Sequence, residues 1–286
     1  MKKSKTLVSL GLAGCMLLAG AASVCAAPAD AAPAAVDTGK VTVMVETATL
    51  NGKYIQKPVQ LNYEAGKDVQ YYLEQIKDSS GASLVNVISS SWGPYIDSVK
   101  DTNTGAPYIG SDGTGYVFRS EALASDTQHG YPSEVAASNF NGIYTAGTLK
   151  AYDYNNNSGW NVVYNNTSPY TGISQAVSEG DCITLAFTVY GGMDIGFPGW
   201  PMNADGTWNT DSDAPFAATV TNGVKTDKTA LIETIAYVNA NFPEAQRTDV
   251  QKAAAAGADS AVLNVKASAS DVSSALTTLQ TAFNVQ

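Results

Sequence analysis

The chain has 286 residues, 44% hydrophobic and 15% charged, a balance that describes a folded protein of one large or two small domains and not a disordered one. Its 26 acidic against 16 basic residues leave a net charge of −10, and no basic cluster occurs beyond the extreme N-terminus, which argues against nucleic acid as a partner. One histidine and three cysteines offer neither a Cys/His metal spacing nor a disulfide framework.

The N-terminus reads as a secretion signal over residues 1–26. Lys2, Lys3 and Lys5 form a charged region, Leu7 to Val24 is apolar, and Val24-Cys25-Ala26 is a small-residue cleavage pattern. A lipobox reading of Leu12-Ala13-Gly14-Cys15 would instead anchor Cys15 to lipid. The apolar run continues through Met16-Leu17-Leu18, which favours simple cleavage after Ala26. The expected location is therefore outside the cytoplasm: periplasmic, cell-surface or extracellular. Removing residues 1–26 takes three lysines and no acid and moves the net charge from −10 to −13. Residues 27–38, rich in Pro and Ala, read as a flexible lead-in. No later stretch approaches the roughly 20 apolar residues of a membrane span, so no transmembrane span is expected. Cys182 is then alone and reads as a buried thiol.

Val41 to Thr47 alternates as a first strand, and Asn51-Gly52 marks a hairpin leading to a second strand at Val59 to Tyr63. From Lys67, the residues Val69, Tyr72, Leu73 and Ile76 recur at helical spacing, with Asp68 as N-cap. Leu84 to Ile88 and Tyr95 to Val99 are short strands around Gly93-Pro94. Residues 101–157 form a long insert with turn signals and a short aromatic strand at Tyr116-Val117-Phe118. It carries His129, whose loop setting points more to a solvated side chain than to a ligand. Trp160, Val162 and Tyr164 alternate on a strand, Asn165 to Pro169 stops it, Glu179-Gly180-Asp181 turns the chain, and Cys182 to Tyr190 is a covered strand.

A second irregular stretch runs from Gly191 to Gly223. There Asn203, Asp205, Asn209, Asp211 and Asp213 carry the hard oxygen donors that calcium requires, without EF-hand order or its closing Glu, so an acidic solvated loop is the better reading of 203–213. From residue 225 three helically periodic segments follow, around Leu231, over Thr248 to Val265, and from Asp271. The fold class is α+β: a small antiparallel-rich sheet with one packed helix and long loop inserts over residues 39–224, then a C-terminal three-helix bundle over 225–286. No nucleophile–base pair, metal spacing or glycine-rich strand–helix loop marks an enzyme, and no catalytic cofactor is implied.

Three segments resemble one family. They are Val59-Gln60-Leu61-Asn62-Tyr63-Glu64-Ala65-Gly66-Lys67-Asp68-Val69, then Trp92-Gly93-Pro94-Tyr95-Ile96-Asp97-Ser98-Val99, and the strand–turn–strand of residues 158–190 with its Gly-Trp, Asn pair and Gly172. Together, over residues 41–190, they resemble the transcobalamin-like C-terminal domain. The stretch from Ala261 to Ala282 is similar to FIVAR-type surface modules, which implies a spacer or a unit that docks a partner. The first resemblance implies binding of a corrinoid, cobalamin or a precursor, for capture or uptake. Carried over position by position, it implies contacts from Trp160 and from Pro169, Tyr170 and Thr171 ahead of Gly172. The candidate ligand-binding set is completed by Tyr164, Tyr95 and His129. The competing expectation is a cell-surface interaction module for glycan or a protein partner, in which Trp160 is core.

Overall fold

The structure, a computed structural model, describes residues 39–91, 93–101, 108–109, 116–117, 147–153, 158–169, 171–188, 191–192, 195, 226–265 and 267–285. The signal region, His129, Tyr170 and the acidic loop 203–213 lie outside these residues.

Strand β1 (Lys40–Glu46) is a β-branched run with every residue from Val41 onward buried. β2 (Tyr54–Asn62) returns antiparallel to it, with Val41 opposite Leu61 and Val43 opposite Val59. Between them the Thr47 carbonyl accepts from the amides of Leu50, Asn51 and Gly52 at 3.1, 3.0 and 3.1 Å. Gly52 takes φ 68°, the left-handed conformation for which glycine has no Cβ penalty. Helix α1 (Val69–Glu74) starts where expected: the Asp68 carboxylate accepts from the Tyr71 amide at 3.0 Å. It buries Val69, Tyr72 and Leu73. β3 (Val85–Ser90) and β4 (Gly93–Lys100) pair antiparallel, β5 (Tyr108–Ile109) and β6 (Tyr116–Val117) form a two-stranded ribbon, and β7 (Thr148–Lys150) adds to the edge of β4. β8 (Gly159–Tyr164) and β9 (Cys182–Thr188) complete the strands.

The main sheet has the order β2-β1-β9-β8. At its centre β1 and β9 run parallel, from Thr42 opposite Cys182 to Glu46 opposite Ala186, although about 140 residues separate them in sequence. A parallel pair of this kind is covered on both faces. One face, through Val41, Val43, Val45, Ile183 and Leu185, packs on α1 and on Val85, Ile96 and Val99 of the smaller sheet. The other face contributes Met44 and Cys182 to a second core built by helices.

Those helices are α2 (Thr229–Asn241), α3 (Asp249–Leu263) and α4 (Ala269–Phe283). Thr248 with Gln251, and Ser268 with Asp271, form capping boxes for α3 and α4. α4 therefore begins at Ala269, ahead of the expected Asp271, because Asp271 is the third residue of the helix, closing the box that Ser268 opens. Leu231, Ile235 and Val238 of α2 meet Val262, Leu279 and Phe283 in the same core as Met44. The Asn239 amide donates to the Pro58 carbonyl at 3.2 Å, and Lys57 pairs with Asp259 at 3.1 Å, so β2 and the helices are joined at the edge as well. Among the described residues no helix is long and apolar enough to cross a membrane.

Candidate functional site

The expected binding segment is the β8–turn–β9 unit, and its side chains are engaged inside the protein. Trp160, half-buried, has its Cα opposite Phe187 and its ring edge-on to it at 5.1 Å. Its indole Nε1 donates to the Leu149 carbonyl of β7 at 3.1 Å. Trp160, Val162 and Tyr164 share one strand face by the period of two, and that face packs on the first core. Both ends of the Trp160 side chain thus serve the junction of the two sheets.

Tyr164 ends the strand at a tight turn. Asn165 and Asn166 take φ 45° and 61°, and the Thr167 amide donates to the Tyr164 carbonyl at 2.9 Å, as in the primed turns that match strand twist. The Asn pair is explained by this geometry. The Tyr164 hydroxyl donates to the buried Asp181 carboxylate, which also accepts from the Ser178 amide and from Asn165 Nδ2, the last at 2.6 Å. Asn165 Oδ1 accepts in turn from the Cys182 amide at 2.8 Å. Burial, and then the Asp181 carboxylate, push the Tyr164 phenol up, so it remains a neutral donor. Asp181, read from sequence as a turn residue, is the centre of this knot.

The described residues ahead of Gly172, a half-buried Pro169 and an exposed Thr171, are tied down. The Pro169 carbonyl accepts from the Gly172 amide at 3.0 Å, and the exposed Thr171 hydroxyl donates to Gln175 Oε1 at 3.0 Å. The Gln175 carbonyl accepts from the Val69 amide at 2.9 Å, which pins the loop to the start of α1. Tyr95 lies elsewhere, 42% exposed on β4. Trp160 and Tyr164 therefore face the core, Pro169 and Thr171 a surface turn, and Tyr95 the outside of the other sheet. These described members of the candidate set do not converge.

A cleft does open on the opposite side of the main sheet, between Met44, Glu46, Cys182 and Thr184 and, at the start of α2, Lys228 and Ile232. Its cavity volume of about 80 Å³ is well below the roughly 300–1,000 Å³ of small-molecule pockets. Lys228 Nζ donates to the carbonyls of Val262 and Asn264, both at 2.7 Å, where it caps the end of α3, and the Glu46 carboxylate accepts from the Ala48 amide. On α2, burial first and the charges of Asp227 and Asp181 next push Glu233 up to about 7. Cys182 is a buried thiol, as expected. Among the described residues no three His, Cys, Asp or Glu side chains come together as a metal cage.

Asp78 is also structural in its bonding. It accepts from Lys100 Nζ at 2.8 Å, from the Ser80 amide and hydroxyl and from the Ala82 amide. Its carboxyl is held well below the usual range by the lysine first. No protein-family model, no curated protein and no solved structure matches the chain. The likeness to the transcobalamin-like and FIVAR-type modules rests on the residues quoted above.

Proposed function

We propose that this chain is an exported, non-catalytic interaction module of the cell surface, in which the α+β unit is a scaffold that displays a binding face to a partner. The observation that carries the reading is Trp160: its ring meets Phe187 edge-on and its N–H is taken by Leu149, so the residue that a corrinoid carrier would turn to its ligand is spent on joining two sheets. Tyr164 is likewise spent on Asp181. Export comes from the pattern of residues 1–26. The non-catalytic part is supported by Asp78 and Asp181, each occupied by several structural donors.

Corrinoid binding is the second reading. It is favoured by the exposed Thr171 and by the tight turn at Gly172, φ 54°, at the position the resemblance gives to ligand contact. One experiment separates the two. The mature protein is titrated with cyanocobalamin and with cobinamide, desalted, and its visible absorbance read. In parallel, labelled protein is incubated with intact bacterial cells. The interaction module predicts a colourless protein that sediments with cells. A pink protein carrying near-stoichiometric corrinoid overturns that reading and establishes the second.

A further inference from the structure

We propose that the cleft between the central sheet and the start of α2 takes the acetamido group of an N-acetylated amino sugar, with the sugar ring at its mouth. This rests on the interaction-module reading and names that module's ligand class and site. The floor of the cleft is one row across three strands. Thr184 of β9 lies opposite Met44 of β1 on one side and Val163 of β8 on the other, and all three line the cleft. Ile232 of α2 and Val262 of α3, both buried, line it from the helical side.

A parallel pair covered on both faces is ordinarily a near-continuous apolar run. Thr184 departs from that pattern. It is 7% exposed, and among the described residues its hydroxyl has no hydrogen-bond partner. Hydroxyls buried this far are normally paired, so Thr184 offers a donor and an acceptor to a group that enters the cleft. Asn166 in the turn after β8 and Thr229 at the start of α2, both half-buried, also line it. Neither of their side chains is hydrogen-bonded among the described residues. The charged lining residues are in the opposite condition. Lys228 Nζ donates to the carbonyls of Val262 and Asn264, and the Glu46 carboxylate accepts from the Ala48 amide. What the cleft offers a ligand is therefore neutral: side chains that both donate and accept, set between aliphatic walls.

Size narrows the ligand further. The cavity volume of about 80 Å³ is about half the roughly 150 Å³ that holds a benzene ring, so the cleft takes a group of about three to four heavy atoms and not a whole sugar. An acetamido group is of that size and carries the matching chemistry. Its methyl suits Met44, Val163 and Ile232, its carbonyl accepts from Thr184 or Asn166, and its N–H donates to Asn166 Oδ1 or the Thr229 hydroxyl. A carboxylate or ammonium would compete with the bonds that already hold Lys228 and Glu46, and a purely aliphatic group would leave the Thr184 hydroxyl unpaired. Export, as proposed from residues 1–26, favours the acetamide of a surface sugar over that of an acetylated lysine.

The test is saturation-transfer NMR of the full mature chain with N-acetylglucosamine and N-acetylgalactosamine, with glucose, glucosamine and Nε-acetyl-lysine as controls. At least one acetylated sugar should bind, with the strongest saturation on its acetyl methyl, while glucose and glucosamine do not. Thr184→Val keeps the shape, removes the hydroxyl and should weaken binding about fivefold or more, the size of one neutral hydrogen bond. Asn166→Gly should also weaken it and keep the thermal midpoint, because glycine accepts φ 61°. No binding of either acetylated sugar, equal binding of glucose, stronger binding of Nε-acetyl-lysine, or unchanged binding by both variants overturns the proposal. Sedimentation with intact cells separates the levels of failure. Sedimentation without sugar binding sinks the acetamido ligand and leaves the interaction module. Sugar binding without sedimentation keeps the cleft site and removes the cell-surface reading, and the absence of both sinks both.

Discussion

The central β1/β9 pair and the outer β3-β4-β7 sheet are made of similar residues and do different things. In β9 all seven residues are buried and in β1 all but the first. In β4 burial is partial, with Tyr95 outside and Ile96 and Val99 inside. The difference is cover: the parallel pair has α1 and the small sheet on one side and three helices on the other, while the small sheet, among the described residues, has a core on one side. An aromatic side chain takes its role from that layering. Trp160 lies between layers and is structural, whereas Tyr95 lies outside that core and is exposed.

The comparison breaks most visibly at Phe187. It is fully buried under Trp160, and Phe187→Ala should cost about 3–5 kcal/mol in urea unfolding. A loss below about 1 kcal/mol would mean that the centre is not close-packed. Asp181→Ala should cost about 1–3 kcal/mol, because it strands the donors of Tyr164, Asn165 and Ser178 at the head of β9. Asp181→Asn should recover part of that loss, and equal stability of both variants with the parent would discount the knot.

A smaller effect concerns the helical side. Glu233 is held near 7 against an ordinary value of 4.5, so the folded state favours its protonated form. Its contribution is fully present below about pH 4.5 and is lost as pH rises through about 7. Glu233→Gln should flatten this part of the stability–pH curve, and an unchanged slope would put its origin elsewhere. At the outer sheet, Tyr95→Ala should change stability by less than about 0.5 kcal/mol. A large loss there would make Tyr95 a packing residue and end the contrast with Trp160.

By itself the sequence determined the local elements. Alternation gave the period of β1 and β8, Asn51-Gly52 the first hairpin, Asp68 the cap of α1, and helical spacing the three C-terminal helices, because each of these signals is carried by residues a few positions apart. It was also enough to call the chain α+β. Tertiary structure alone decided that β9 lies parallel to β1, that the helices close the second face of the sheet through Met44 and Cys182, and that Trp160 points inward. It alone brought the turn of Tyr152 alongside Asp97 and made Asp181 an acceptor for residues from two turns. The reason is physical: strand period says which residues share a face but not what covers that face, and cover is supplied by segments up to about 140 residues away in the chain.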